Sequence, residues 1–245
     1  MPSESALSTA TKVIPLEERL IFALDVPNVS KAKQLVEELG DSVRFYKIGL
    51  ELFMSGNYFE LLDWLIARDK KVFVDLKFFD VPQTVQSAVR QLNSSGATFA
   101  TVHGNDSIMK AAVEAKGDLG ILAVTVLTSL DQGDMNDLGF QANVKDVVLS
   151  RAKRALAVGC DGVISSGLEA KELRANLEDR FMIITPGIRP VSNDDDQKRT
   201  VSVEQAFENG ADYIVVGRPI KEHHGFATPR DAAESIQASI KTVFS

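Results

Sequence analysis

Short apolar stretches rich in β-forming residues alternate with amphipathic stretches of helical period along almost the whole chain. Strands that alternate with helices in this way indicate repeated βα units and a parallel sheet. We predict eight strands, at 20–24, 43–48, 71–76, 98–102, 120–127, 162–165, 181–185 and 213–216.

The stretches between the strands have the spacing of helices that bury one face. Ala32, Leu35, Val36 and Leu39 lie at positions i, i+3, i+4 and i+7, which places them on one side of a helix. Eight strand–helix repeats in about 230 residues are typical of a (β/α)8 TIM barrel. We therefore predict the α/β class, with a flexible N-terminal tail at 1–15 and a single barrel domain at 16–245. An open doubly wound sheet is the alternative, but no G-x-G-x-x-G motif follows the first strand to support its dinucleotide-binding form.

The predicted strands end in unusually polar residues. In barrels of this kind the active site lies at the C-terminal ends of the strands. Ionic groups at the mouth of an apolar barrel cost desolvation free energy unless they are paired, so a dense set of them indicates a binding site. The polar ends hold Asp25, Lys47, Asp75, Lys77, His103, Thr128, Ser129, Thr185, Pro186, Gly187, Gly217 and Arg218.

The third strand carries the most informative motif, D-x-K-x-x-D, formed by Asp75, Lys77 and Asp80. Asp75 and Lys77 are two residues apart, so their side chains share one face of a strand. Nearby carboxylates favour the ammonium form of a lysine, and we therefore expect Lys77 to be a proton donor rather than an amine nucleophile. A structural ion pair is the alternative for Asp75 and Lys77, and a helix capping box with Gln83 is the alternative for Asp80.

The last two strands end in glycine and arginine, within TPGIRP at 185–190 and VVGRP at 215–219. Backbone N–H groups and an adjacent helix start often hold phosphate at this place in a barrel, and arginine can add a bidentate contact. We expect a phosphate site there, with the polar segment 190–200 as a mobile lid. Ordinary turns with solvated arginines are the alternative.

Composition limits what such a site can bind. The chain has 34 acidic and 27 basic residues and a net charge of -7, which is the wrong sign for a protein that coats nucleic acid or an anionic membrane. The candidate site itself has more cations than carboxylates, so the bulk charge does not exclude a small anionic ligand. The single cysteine, Cys160, and the lack of an apolar stretch of about 20 residues predict a cytoplasmic protein.

Six segments, taken in order, resemble the orotidine 5'-monophosphate decarboxylases of bacterial type, from about residue 20 to 220. The resemblance implies a homodimeric barrel that releases CO2 from orotidylate (OMP) to form uridylate (UMP), the last step of de novo UMP synthesis. It also implies that neither a metal nor an organic cofactor takes part. The segments are ALD at 23–25, YKIG at 46–49, DLKFFDVPQT at 75–84, VTVLTS at 124–129, TPGIRP at 185–190 and VVGRP at 215–219.

The resemblance also implies roles for individual residues. Lys77 would protonate the pyrimidine carbon that loses the carboxyl group, Asp75 would lie beside that carboxylate, and Lys47 would hold Asp75 and the ribose. Asp80 and Thr84 would reach across the dimer interface into the partner subunit's site. The remaining substrate-binding positions are Asp25 at the ribose, Thr128 and Ser129 near the pyrimidine, and Pro186, Arg189, Gln197, Gly217 and Arg218 at the phosphate and its lid.

Some positions depart from the family pattern, and three other functions stay open. Phe79 stands where many relatives of bacterial type have His, and Val81 and Gln83 replace Ile and Asn. His103 is expected to be a hydrogen-bonded residue at the rim, with a catalytic acid as the alternative. The rival functions are a metal-dependent sugar-phosphate decarboxylase or aldolase, a Schiff-base aldolase, and a phospho-ligand-binding barrel without activity.

Overall fold

The computed structural model describes residues 12–188 and 200–245. Within these ranges, parallel strands β1 to β8 pair in chain order and close into a barrel, which confirms the predicted (β/α)8 TIM barrel. The strands are β1 Leu20–Ala23, β2 Phe45–Gly49, β3 Lys71–Phe78, β4 Phe99–His103, β5 Gly120–Val124, β6 Gly162–Ile164, β7 Met182–Thr185 and β8 Tyr213–Val216.

Helices connect the strands along the outside of the barrel. Short 3-10 turns at Leu16–Glu18 and Gly40–Ser42 precede β1 and β2. The α-helices in the described ranges are α1 Val29–Leu39, α2 Leu50–Met54, α3 Tyr58–Ile66, α4 Pro82–Asn93, α5 Asp106–Ala115, α6 Gln132–Asp137, α7 Val144–Val158, α8 Ala170–Asn176, α9 Val203–Glu208, α10 Arg218–Lys221 and α11 Pro229–Val243.

Strand β5 is shorter than the apolar run that predicted it. The run continues to Leu127, but the strand ends at Val124. Strand β6 is only three residues long, and its last pair joins Ile164 to Val124. Beyond Val124 there is no strand on that side to accept the backbone hydrogen bonds, so the chain leaves the sheet and turns over the mouth of the barrel.

The strands are apolar on both faces because both faces are covered. One set of side chains, which includes Ile21, Phe45, Leu122 and Ile184, fills the inside of the barrel. The alternate residues pack against the helices in a second, larger core. Helix α1 contributes the same four residues that its spacing predicted to be buried, Ala32 to Leu39.

Four aromatic rings fill the N-terminal end of the barrel. Phe45, Phe99 and Tyr213 are the first residues of β2, β4 and β8, and their ring centroids lie 5.5 to 5.8 Å apart. Phe73 joins them with its ring centroid 6.3 Å from that of Phe99. This aromatic floor occupies one end of the barrel and leaves the space for a ligand at the C-terminal end.

The predicted tail at 1–15 is described only from Lys12 onward. The Lys12 ammonium lies 2.6 Å from Asp212 and donates to the carbonyl of Phe181 at 3.1 Å, so this part of the segment contacts the barrel. Residues 1–11 lie outside the described residues, and the proposed domain boundaries stay a prediction. Among the helices in 12–188 and 200–245, none combines the length and the apolar character that a bilayer-spanning helix requires.

The aromatic floor leads to a stability prediction. Phe99→Ala should lower the free energy of unfolding by about 3–5 kcal/mol, because it leaves a cavity among three other rings. Urea unfolding at one fixed protein concentration measures this. Phe59→Ala is the matched control, since Phe59 is 56% exposed, and it should cost about 1 kcal/mol or less. Equal losses in the two variants would contradict the role given to the floor.

Candidate active site

A cavity of about 310 Å³ opens at the C-terminal end of the barrel, above the aromatic floor. Its volume lies within the usual range for small-molecule sites, about 300–1,000 Å³. Its walls combine an apolar base, which includes Val124, Ile164 and Val215, with a polar rim. The predicted residues that line it are Asp25, Lys47, Asp75, Lys77, Thr128, Ser129, Pro186, Gly217 and Arg218.

Four of these residues form one chain of ion pairs across the ends of the first three strands. Lys47 Nζ lies 3.0 Å from Asp25 Oδ1 and 3.5 Å from Asp75 Oδ2. Lys77 Nζ lies 2.9 Å from the same Oδ2 of Asp75. The array Asp25–Lys47–Asp75–Lys77 therefore alternates in charge, with the Asp75 carboxylate between two ammonium groups.

The array keeps its groups charged although Asp75 and Lys47 are largely buried. Burial alone would raise the pKa of Asp75, but the cations of Lys47 and Lys77 and the hydrogen bonds from Lys77 and Thr101 bring it below its usual value. Burial alone would lower the pKa of Lys47, but the carboxylates of Asp75 and Asp25 raise it above its usual value. Each buried charge is stabilised by its neighbours of opposite sign.

The backbone beneath Lys77 is irregular, and the residue that supports it was not among those predicted from the sequence. The five residues of β3 from Val74 to Phe78 lie opposite only three residues of β4, Ala100 to Val102, so β3 contains a β-bulge. Lys77 adopts a left-handed backbone with φ of +48°, and its N–H donates to Thr101 Oγ1 at 2.9 Å. A signal for Thr101 was present, since a threonine interrupts an apolar run on a position that alternates with inward-facing Phe99.

Asp80 and Thr84 are not brought to the cavity of their own chain. They lie in the loop after β3 and in the first turn of α4, outside the cavity lining. The capping-box alternative for Asp80 is wrong, because Val81 is the N-cap of α4 and no side chain caps that helix. The Asp80 carboxylate instead accepts a hydrogen bond from the N–H of Val81 at 2.6 Å.

The far wall of the cavity carries the glycine and arginine segments. Gly187 has a left-handed φ of +78°, a backbone conformation that favours glycine. Gly217 is the N-cap of the four-residue helix α10, which begins at Arg218. Lys221, at the end of α10, also lines the cavity and donates to the carbonyl of Asp25 at 3.1 Å. This lysine was not among the residues predicted from the sequence.

Arg189, Gln197 and nearly all of the predicted lid at 190–200 lie outside the described residues.

His103 lies at the rim, but its expected hydrogen bond is wrong. The imidazole stacks on the ring of Phe79 with centroids 4.4 Å apart, and within the described parts of the chain it forms no hydrogen bond. Burial, together with the cations of Arg151 and Lys77, lowers the pKa of His103. The phenylalanine at position 79 thus gives the histidine an aromatic contact in place of a polar one.

The described residues contain no group of three or more His, Cys, Asp or Glu side chains arranged to hold a metal ion. Cys160 is buried. Burial, and to a smaller extent the nearby Asp161 carboxylate, raises the pKa of its thiol to about 12. The thiol is therefore protonated at neutral pH.

Comparisons with known proteins agree with these features. A family model described as the orotidine 5'-phosphate decarboxylase / HUMPS family matches residues 18–236. An orotidine 5'-phosphate decarboxylase of Methylococcus capsulatus is 66% identical over 237 residues, which cover 96% of this chain and 97% of the relative. One of Stenotrophomonas maltophilia is 52% identical over 228 residues, 91% and 93% of the two chains. The solved orotidine 5'-phosphate decarboxylase of Lactobacillus acidophilus has a TM-score of 0.80 and 35% identity, and the match covers 91% of this chain and 99% of that one.

The lowered pKa of Asp75 leads to a prediction about stability and pH. A carboxylate whose pKa is lower in the folded than in the unfolded state adds stability above its ordinary pKa of 3.8. That stability is lost as the pH falls through the folded value. The difference in free energy of unfolding between wild type and Asp75→Asn should therefore be constant near neutral pH. In acid the wild type should lose stability relative to Asp75→Asn.

Urea unfolding across the acid range measures that difference, with Asp118→Asn as the control. Asp118 is exposed and lies outside the array, so this variant should follow the wild type at every pH. A difference between wild type and Asp75→Asn that does not change with pH would contradict the charge pairing described for Asp75.

Proposed function

The chain belongs to the orotidine 5'-phosphate decarboxylase / HUMPS family, and from this premise we propose that it decarboxylates OMP to UMP through a carbanion that Lys77 protonates. The proposal includes independence from metals and organic cofactors and a cytoplasmic location. The observation that carries it is the Lys77 ammonium, which is held 2.9 Å from Asp75 in the lining of a cavity with an apolar base. The relative of Methylococcus capsulatus, 66% identical and named for this activity, supports the choice of substrate.

The proposed reaction needs a proton and no oxidant. The bond between the pyrimidine ring and its carboxylate breaks, CO2 leaves, and the electron pair stays on the ring carbon. Lys77 then gives a proton from Nζ to that carbon, so that OMP and one proton become UMP and CO2. Negative charge develops next to an ammonium group that is already in position, and such preorganised electrostatics favours the transition state over the substrate.

Asp75 and Lys47 have supporting roles in this proposal. Asp75 holds Lys77 through Oδ2 and lies beside the departing carboxylate, where its negative charge opposes that of the substrate more than that of neutral CO2. Lys47 is bonded to Asp25 and lies near Asp75. It therefore keeps the Asp75 carboxylate compensated and leaves Asp25 to accept a hydrogen bond from a ribose hydroxyl.

The two sides of the cavity suit the two ends of a nucleotide. The charged array lies on the side of β1 to β3. Thr128 and Ser129, in the segment after β5, line the cavity with hydroxyl groups that can bind the pyrimidine. Pro186, Gly217 and Arg218 lie on the side of β7 and β8, where we assign the phosphate. Arg189 and Gln197 complete the phosphate contacts in this proposal.

The proposal also includes a homodimer in which Asp80 and Thr84 act in the partner subunit's site. Its support is that neither residue lines the cavity of its own chain and that large apolar side chains beside them are exposed. Phe79 and Val81 are 65% and 63% exposed, and Met54, after the neighbouring strand β2, is 78% exposed. Exposed apolar side chains at one end of a molecule are typical of an interface.

Purified protein should convert OMP to UMP with loss of the orotate absorbance, and Lys77→Ala should reduce kcat by at least about 100-fold while it still binds UMP. Lys145→Ala is the control, because Lys145 is exposed and distant in the chain from every strand end named above. Absence of turnover by folded wild-type protein would falsify the assignment. Near-normal turnover by Lys77→Ala would show that another group supplies the proton.

The same assay in EDTA separates the proposal from a metal-dependent sugar-phosphate decarboxylase or aldolase on this barrel. Full activity in the chelator is expected. A loss that added Mg²⁺ restores would overturn the proposed independence from metals. Borohydride with substrate should leave Lys77 unmodified, since no Schiff base is part of the proposed reaction.

Sharing of sites between subunits has its own test. Lys77→Ala and Asp80→Ala should each be inactive as homodimers, but co-expression should restore activity. Each hybrid dimer would hold one site with both native residues, and random pairing of a two-fold symmetric dimer gives about a quarter of wild-type activity. No recovery in hybrids that are demonstrably formed would show that Asp80 acts within its own chain.

A further inference from the structure

Thr101 is buried in the wall of the barrel, at 0% exposure, and its hydroxyl group joins two parts of the array. Its Oγ1 donates to Asp75 Oδ1 at 2.9 Å and accepts from the Lys77 backbone N–H at 2.9 Å. The direction of both bonds is certain, since a carboxylate only accepts and an amide N–H only donates. The Thr101 hydroxyl is therefore a hydrogen-bond donor to the Asp75 carboxylate and, at the same time, an acceptor for the backbone N–H of Lys77.

The position of Thr101 explains why a single hydroxyl can reach both groups. Val74 pairs with Ala100 and Phe78 pairs with Val102, so Thr101 stands alone opposite the three residues of the bulge. The Lys77 N–H is displaced from the normal ladder by its φ of +48°, a conformation that a residue with a side chain rarely adopts. The threonine hydroxyl replaces the missing backbone acceptor.

The second bond divides the Asp75 carboxylate between two partners. Oδ1 accepts from Thr101, whereas Oδ2 accepts from Lys77 Nζ at 2.9 Å. Because the carboxylate is planar, holding Oδ1 on the β4 side turns Oδ2 toward the ammonium. Thr101 thus constrains Lys77 twice, through its backbone and through the carboxylate that holds its side chain.

We propose that Thr101 is a positioning residue for the decarboxylation, and that its hydroxyl sets the place of the Lys77 ammonium relative to the reacting carbon. The inference rests on the proposed function, since it concerns the proton that Lys77 delivers. A displacement of the Lys77 ammonium by about 1 Å can reduce the rate of the reaction by about 100-fold. The residues that we assign to the ribose and the phosphate do not include Thr101. Loss of the hydroxyl should therefore lower kcat and leave nucleotide binding nearly unchanged.

Thr101→Val keeps the shape of the side chain and removes both hydrogen bonds, and Thr101→Ser keeps the hydroxyl. We expect kcat for OMP to fall about 10- to 100-fold in Thr101→Val, with the Kd of UMP within about 3-fold of wild type, and Thr101→Ser to recover most of the rate. Thr125→Val is the matched control: Thr125 is 1% exposed, and its hydroxyl donates to the carbonyl of Ile164 outside the array. It should keep the wild-type kcat.

The pH profile of kcat adds a measurement that simple loss of packing does not change. The titratable groups that face Asp75 are Lys47 from β2, Lys77 from β3 and Tyr58 from α3, with Asp25 beyond Lys47. None of them is altered in Thr101→Val. Removing a donor from the Asp75 carboxylate disfavours its charged form, so the acid limb of the profile should move to higher pH.

Rates are normalised to UMP-binding sites, and Thr101→Ala replaces Thr101→Val if the latter does not fold. The inference is overturned if a folded variant without the hydroxyl keeps kcat within about 3-fold of the wild type. It is also overturned if kcat falls as far in Thr101→Ser as in Thr101→Val. A uniform loss at every pH, equal to that of Thr125→Val, also overturns it in favour of packing. Inactivity of the wild type itself would contradict the proposed function instead, so the two failures are distinguishable.

Discussion

The structure of the site depends on how one buried carboxylate is compensated. Asp75 lies in the C-terminal half of β3, inside an apolar barrel, where an unpaired charge would be strongly unfavourable. Lys47 and Lys77 supply opposite charge and Thr101 supplies a neutral donor. Breaking a buried pair of this kind costs about 3–5 kcal/mol. The ammonium of Lys77 is therefore held in place by the same interactions that make the Asp75 carboxylate tolerable in the core.

The barrel separates stability from chemistry along its axis. At the N-terminal end, Phe45, Phe73, Phe99 and Tyr213 pack ring against ring. At the C-terminal end polar and charged side chains join the apolar lining, and a cavity of about 310 Å³ remains. Large side chains at one end exclude water from beneath the array, which strengthens the charge interactions above them. The bulge in β3 then aims Lys77 within this rigid frame.

The loop after β3 places apolar side chains in solvent next to a carboxylate. Asp80 is neither a helix cap nor part of its own cavity, and its neighbours Phe79 and Val81 are exposed. Contact with a second copy would cover these apolar side chains and bring the Asp80 carboxylate into the partner subunit's site, which is the arrangement we propose.

The sequence by itself determined the alternation of strands and helices and the strand that carries Asp75 and Lys77, because the apolar period of each segment decides which face is buried. The number of repeats favoured a barrel over an open sheet. Only the tertiary structure decided that β5 ends at Val124, that Val81 rather than Asp80 occupies the N-cap position of α4, that His103 stacks on Phe79 and that Thr101 and Lys221 belong to the site. Each of these features depends on a neighbouring strand or loop: on whether it provides a partner for the backbone hydrogen bonds, an aromatic ring, or an N–H left without a backbone partner at a bulge. A pattern along one chain does not contain such contacts between segments that are distant in sequence.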